Sequence, residues 1–415
     1  MELNVRVPEK VLGDIRAQIA ACNVAERGYL DLYRRYGVAA TDSYFEEIHD
    51  YAERLARAEI AEIPDGIYRF ENHIDGLGPK PREIVIRVAV HVHGDSVTVD
   101  WAGTNPQVPA GINSPIPFTK AATYAALRSV MSSEIPNSQG FTRAIEVRAP
   151  VGSIVNPEDP GACGARGITG FRMIDCLMGA LAQALPTRVP ADGNGGATIT
   201  AIGGRHRGGP FVFVETVMGN TGGMPQHDGQ SAVSHVGANQ SNIPLEMIEA
   251  EHPLRVERYE FVPDSGGPGR WRGGVAMRRE IRLLADSAVL TIRSDKRRFR
   301  PYGLAGGKPG TASSNQLLQT DGTTRTLPVL LLEPEVMQRG DIFRHELAGG
   351  GGMGNPLERE PELVLADVIL GLVTPEGAAR DYGVVVDAGA PPRLDSAATL
   401  ALRARRRAAD REVQA

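Results

Sequence analysis

Glycine constrains this chain more than any other residue. The 48 glycines fall in clusters: Gly193–Gly196, Gly203–Gly209, Gly266–Gly274, Gly306–Gly310 and Gly349–Gly354. A residue without Cβ suits positive φ and close backbone approach, and it weakens the interior of helices and strands. The clusters therefore read as special turns. With 29 prolines interleaved, they predict many short strands joined by tight loops. The densest stretch is Pro263–Glu280, which carries Asp264, Ser265, Arg270, Trp271 and Arg272 among its glycines. Apolar and charged residues alternate over Val256–Val262 before it and over Val275–Leu284 after it. Two strands around a glycine turn fit that pattern. On local physics alone the arginines serve equally well as anion-binding forks or as solvated loop residues.

The 415 residues can bury at least one large core. A net charge of −5 gives no general attraction to nucleic acid or to membranes. Cys22, Cys163 and Cys176 form no CxxC and no metal-type spacing, which fits a reducing cytoplasm. No apolar run is long enough to span a bilayer.

Along the chain, Pro8 opens a helical pattern with Val11, Leu12, Ile15 and Ile19 on one face. A second helical stretch over Tyr44–Ile60 places Phe45, Ile48, Tyr51, Ala52 and Leu55 together. Strand patterns begin after Pro64-Asp65-Gly66, with a hairpin expected over Ile84–Val92 and Val97–Trp101. Helices are expected at Thr119–Met131, Ile168–Leu185, Pro244–Glu251, Glu362–Leu370 and Glu376–Tyr382. Ile168–Leu185 is the longest of these patterns, and Pro186 ends it. Ala197–Ile202 and Phe211–Thr216 read as strands around a basic glycine loop, Gly203–Gly209. Hairpins outnumber helical crossovers, so the fold class is α+β with mainly antiparallel, Gly-rich β structure. The expected divisions are a helical lead-in at 1–62, a β-rich core at 63–355, closing helices at 356–390 and a charged tail at 391–415.

The densest polar grouping is Gly219–Asn242. Within it, His227, Asp228 and His235 are candidate acid–base residues, because a histidine beside a carboxylate can move protons or ligate a metal. A polar loop that satisfies itself explains them equally well. His91 and His93 share one strand face, a spacing metal sites use, but nothing nearby completes a set. Cys163 precedes a helix, where a thiolate would be favoured, yet no partner base is evident. Arg166, beside the same helix start, is an anion-binding candidate with Arg270 and Arg272. Gly349-Gly-Gly-Gly-Met-Gly lacks the Lys-Ser/Thr of a Walker loop and is followed by Asn-Pro, so no ATP site is expected in this chain.

Taken together, several segments resemble the hydantoinase B/oxoprolinase family, the B-type subunits of N-methylhydantoinases, 5-oxoprolinases and acetone or acetophenone carboxylases. They are Val5-Arg-Val-Pro with Gly13-Asp-Ile-Arg, Val99-Asp-Trp-Ala-Gly-Thr-Asn-Pro-Gln-Val-Pro, and Cys163-Gly-Ala-Arg-Gly with Asp175 and Gly179. Pro253-Leu-Arg-Val-Glu-Arg-Tyr with Asp264–Gly274, and Gly349–Gly354 with Glu362, Asp367, Gly371 and Tyr382, complete the likeness. The resemblance implies an ATP-dependent amidohydrolase that opens a cyclic amide such as a hydantoin, 5-oxoproline or a lactam. A hydantoinase A-type partner would use the ATP. The divalent-metal ligands of the carboxylase relatives belong to a family segment not matched here, so no metal ligand is assigned. That segment is expected on a separate N-terminal B-type fragment, or upstream of a misassigned start, or lost from a degenerate paralogue. The alternatives to catalysis are a structural subunit of such a complex or a component of a ketone carboxylase.

Overall fold

The structure, a computed structural model, describes residues 2–5, 7–132, 134–195, 198–387 and 389–414. Gly196 of the first glycine cluster, Ala197 of the expected strand and Ala415 of the tail lie outside the described residues. The chain opens with helices α1 (Pro8–Tyr36) and α2 (Val38–Ile60). Strands β1 (Gly66–Ile74), β2 (Ile84–His93) and β3 (Ser96–Asp100) follow, then α3 (Ile116–Ser129), β4 (Ile145–Arg148) and α4 (Gly167–Leu181). Next come β5 (Thr198–His206), β6 (Gly209–Val217), β7 (Gly219–Asn220), β8 (Ser231–Val233) and α5 (Leu245–Glu251). Strands β9 (Leu254–Val262), β10 (Ala276–Leu283), β11 (Ser287–Arg293), β12 (Ser314–Leu318), β13 (Thr324–Thr326), β14 (Glu335–Gln338) and β15 (Ile342–Glu346) precede α6 (Pro361–Ile369) and α7 (Pro375–Tyr382). The pair β16 (Val385–Val386) and β17 (Leu394–Asp395) leads into α8 (Ser396–Gln414).

The fold is mixed α+β with mostly antiparallel sheets. Among the described residues, three sheets have four or more strands, in the orders β1-β2-β3-β4, β13-β12-β15-β10-β9 and β14-β11-β5-β6. The β3–β4 pair is parallel, since helix α3 carries the chain back across the sheet. The largest core packs α3 and α4 against the first sheet through Ile86, Val88, Val90, Ala126, Leu127, Met173 and Leu177. A second core lies between the other two sheets, around Ile202, Phe213, Leu283, Leu290, Ile292 and Phe343.

Several boundaries differ from the sequence expectation. Helix α1 is the longest element at 29 residues and buries none of them. Its Val11–Ile19 face is amphipathic, but no core covers it, and Ile19 is 56% exposed. In α2 the buried face is Ala52, Ala56 and Ile60, whereas Tyr44, Ile48 and Tyr51 point outward. The small Ala52 and Ala56 let that helix lie close to the Gln139–Ala144 turn, where a Cβ on Gly140 would overlap the His49 carbonyl, and a reading weighted toward large side chains misplaces that face. Helix α4 stops at Leu181, before Pro186. The Gly203–Gly209 stretch is strand rather than loop: β5 and β6 pair through His206 and Gly209, and the turn is only Arg207-Gly208. The basic end of the chain is helical, and Arg403, Arg406 and Arg407 donate to the carbonyls of Arg359, Tyr382, Arg380 and Leu357.

The glycine clusters do not sit on separate turns. Three of them converge with Gly222-Gly223 and hydrogen-bond backbone to backbone. Gly267 N donates to Gly350 O at 2.6 Å, and Gly350 N to Gly274 O at 2.9 Å. Gly352 N donates to Lys308 O at 2.9 Å, and Gly223 N to Gly351 O at 2.8 Å. Main chains this close leave no room for side chains: a Cβ on Gly351 would overlap the Tyr302 carbonyl. Pro263–Glu280 is the β9–β10 connection and one arm of this knot.

Candidate functional site

The knot holds one wall of a cavity of about 330 Å³. Gly351 N donates to Asp192 O at 2.7 Å, and Asp192 N donates to Tyr302 O at 3.0 Å, so the glycine backbone fixes the loop that carries Asp192. Opposite stands Asp175, from the inner face of α4. The described lining is otherwise largely apolar, with Val130, Ile174, Met178, Pro190, Met224 and Val236.

Asp175 and Asp192 share one buried ammonium. Lys296 Nζ donates to Asp175 Oδ2 at 2.9 Å and also to Asp192 Oδ1. Lys296 lies just beyond β11 with φ +66°, a conformation uncommon outside glycine and costly unless the surroundings impose it. Arg172, one turn before Asp175, reaches Asp175 Oδ2 at 3.4 Å and pairs with Asp295. Three buried carboxylates thus share two buried cations. Burial alone would raise Asp175, but Lys296, His235 and Arg172 outweigh it and hold that carboxyl below the usual range. Burial, then the charge of Asp175, push Asp192 up to about 6. Burial and the same two carboxylates push the Tyr302 phenol well above its ordinary value. Its hydroxyl donates to Asp175 O at 2.7 Å.

His235 reaches this site. Its Nε2 lies 3.0 Å from Asp175 Oδ1, and Gly237 N–H donates to its Nδ1 at 3.1 Å. Since Nδ1 accepts, the proton sits on Nε2 and is donated to Asp175. Both ring nitrogens are engaged, so His235 orients the carboxylate. Gly195, with φ +55°, is obligatory beside it: an added Cβ would overlap the imidazole.

The other sequence candidates lie elsewhere. His227 is exposed, its Nδ1 3.0 Å from Asp228 O. Asp228 accepts from Arg359 through both oxygens, at 2.6 and 2.7 Å, and from Arg272 N at 2.7 Å. Arg272 and Arg359 both pair with Asp367, so Arg272 braces the fold. Arg270 is exposed over the Trp271 ring, and Arg166 is exposed over Phe118. Cys163 Sγ contacts only Gly161 O, at 3.3 Å. His93 is solvent-exposed on β2. The sequence reading passed over Asp175, Asp192, Lys296 and Tyr302 as chemistry. Asp175 did carry a signal, a carboxylate among Ile174, Leu177 and Met178 on a helix whose one other charged residue is Arg172, because a charge there demands a buried partner. Lys296 was hidden in the basic run Arg293–Arg300.

Among the described residues, no three His, Cys, Asp or Glu side chains are grouped as metal ligands. At the cavity, Lys296 already occupies the position between the two carboxylates that a cation would take, so a divalent metal does not fit these residues.

Residues 1–356 match the pattern that defines the Hydantoinase B/oxoprolinase family. The chain is 37% identical to the B-type subunit of a putative D-/L-hydantoinase from a Pseudomonas species, over 92% of this chain and 66% of that protein. It is 32% identical to the beta chain of the caprolactamase of Pseudomonas jessenii, over 97% of this chain and 70% of that one. The crystal structure of the ATP-dependent caprolactamase from P. jessenii superposes with a TM-score of 0.87 at 31% identity, covering 97% of this chain and 70% of that one. A nucleotide-free acetone carboxylase has the same fold, with a TM-score of 0.88 at 20% identity, covering 99% of this chain and 61% of that one. This chain therefore belongs to the Hydantoinase B/oxoprolinase family. It spans about two thirds of the length of the two Pseudomonas relatives.

Proposed function

We propose that the chain is a B-type subunit of an ATP-dependent cyclic-amide hydrolase, and that the cavity between α4 and the glycine knot receives the ring. The observation that carries this reading is the Asp175–Lys296–Asp192 constellation opening on an apolar cavity. Relatives named for a hydantoinase and a caprolactamase support the reaction class. Phosphorylation of the amide oxygen, supplied by ATP on an A-type partner, would make the ring carbon a better electrophile.

This chain's residues handle the proton. Water adds at the carbon bearing the phosphorylated oxygen, the ring C–N bond breaks to leave a nitrogen that must be protonated, and a second water releases the phosphoryl group from the resulting acyl phosphate as inorganic phosphate. A carboxyl at about 6 populates both forms near neutral pH, so Asp192 can take a proton from water and return one to the leaving nitrogen. Asp175 stays ionised and anchors Lys296, which fixes Asp192. His235 and Tyr302 hold Asp175. The apolar lining orients the ring and excludes bulk water.

The test is Asp192→Asn in a complex reconstituted with the ATP-using partner. Ring opening should fall by about 10²–10⁴-fold, the usual worth of a positioned acid–base group, with the fold intact by circular dichroism. Unchanged turnover would remove Asp192 from the mechanism. A folded wild-type chain with no ATP-dependent turnover in any reconstitution would instead mark a structural role.

A further inference from the structure

The charge on the cavity wall bears on which cyclic amides can enter. Carboxylates belong to the lining, and the cations that balance them do not. Asp175 and Asp192 are lining residues and Lys296 and Arg172 are not, although the Asp192 side chain is as deeply buried as either cation and Asp175 keeps the most exposure of the four. Among the described lining residues the single cation is Arg188, and it is already committed. Its guanidinium lies 2.8 Å from Glu62 and 3.5 Å from Glu59, both outside the cavity lining. The remaining lining is hydrocarbon, backbone and uncharged polar side chains such as Asn220, Thr221 and Gln230. Asn220 is spent on the scaffold: its Oδ1 accepts from Asn194 N, and its Nδ2 donates to the carbonyls of Val275 and Ala348.

An anionic substituent in this cavity would meet a wall on which three carboxylates share two cations, with no unpaired cation among the described lining residues. No unpaired lining cation offsets the repulsion, and a charge that gives up water without gaining a partner is disfavoured. A neutral ring meets the opposite situation. Its C=O and N–H pair with the polar edge, and its methylenes lie on Val130, Ile174, Met178 and Val236.

We propose that the cavity selects cyclic amides whose ring carries no charged group, and rejects those bearing a carboxylate. This rests on the reading that the cavity is the substrate site. It assigns the selection to the exclusion of anions by Asp175 and Asp192 at a hydrocarbon-lined pocket, rather than to ring size.

The experiment uses a matched pair, 5-oxoproline and its primary carboxamide, which share one ring and nearly one volume and differ in charge. Each is titrated into the full chain by calorimetry at neutral pH. The expected result is carboxamide binding at least tenfold tighter than 5-oxoproline. Equal or tighter binding of 5-oxoproline overturns the charge selection and leaves the cavity as the site. To separate the two claims, Ile174→Trp fills the cavity and should abolish carboxamide binding. Binding that survives in a folded Ile174→Trp chain places the ligand elsewhere and overturns the substrate-site reading, as does wild-type protein that binds neither compound. Val236→Lys supplies the missing cation from a half-exposed lining position. It should narrow or invert the preference, and an unchanged ratio counts against electrostatic selection.

Discussion

Two buried aspartate–cation clusters lie in this protein, and they differ in one respect. Asp228, Asp367, Arg272 and Arg359 form a balanced set, two carboxylates to two guanidiniums, closed by bidentate contacts. Asp175, Asp192 and Asp295 share only Lys296 and Arg172. The balanced set ties the 228 loop and the Arg272 arm of the knot to α6. The unbalanced set faces a cavity. Burial works against Asp228 and Asp192 alike, but in the balanced set Arg359 and Arg272 win, and Asp228 is held below its ordinary value. In the other, Asp192 loses to burial and to Asp175 and rises to about 6. Buried ion pairs alone therefore mark no functional site. A surplus acid beside a cavity is the better candidate.

The largest effect should come from breaking the balanced set. Asp367→Asn leaves Arg272 and Arg359 with one partial partner, and removing one side of a buried pair costs about 3–5 kcal/mol. Urea denaturation should show that loss, with residual turnover tracking the folded fraction. Asp192→Asn should do the reverse. It leaves Lys296 with Asp175, removes the surplus charge, and keeps stability or raises it by up to about 3 kcal/mol above pH 7, at roughly 1.4 kcal/mol per unit of raised pKa. Equal losses in the two variants would erase the distinction.

Next in size is the pH dependence, which has opposite signs in the two clusters. Asp192 is raised, so between about 6 and the ordinary carboxylate range the folded state binds a proton that the unfolded state does not. Its contribution therefore improves as pH falls through about 6 toward the ordinary carboxylate range. Asp228 is depressed, so its stabilisation is complete above the ordinary range and is lost only in acid. The stability difference between Asp192→Asn and wild type should be flat above about pH 7 and shrink as pH falls from there toward the ordinary carboxylate range. A constant difference would mean that Asp192 is not shifted.

The clusters also mark what the sequence made legible. Hairpins, most helices and the β9–β10 connection follow from period, capping and turn chemistry, all local. The family segments located α4 and the glycine knot. The site itself is assembled from α4, the loop at 192, the loop at 235 and the end of β11, whose contacting residues lie up to 121 positions apart in sequence. Which of His227, Asp228 and His235 faces a cavity depends on how Gly222, Gly229 and Gly274 stack, and no local pattern encodes that. His235 points inward because Gly195 leaves room for its ring. Asp228, only seven residues earlier, is captured by Arg359, a residue of the segment beyond the family match.

The comparison between wall and surface can be sharpened without touching a charge, through two glycines. At Gly351 an added methyl meets the Tyr302 carbonyl, with Gly303 N close behind, and both are backbone. Neither can yield without moving Tyr302, whose carbonyl also holds Asp192 N. Gly351→Ala should cost about 1–3 kcal/mol, the usual penalty of overpacking, and should weaken ligand binding at the cavity as the Asp192 loop shifts. At Gly28, inside α1, nothing lies within 4 Å of the position a methyl would take. The backbone is helical, so Gly28→Ala only removes conformational freedom from the unfolded chain and should stabilise by about 0.5–1 kcal/mol. Because α1 buries no residue, that gain should appear as slower amide exchange within α1 and leave the global denaturation midpoint nearly unmoved. A matching rise in global stability would show instead that α1 folds as one unit with the core.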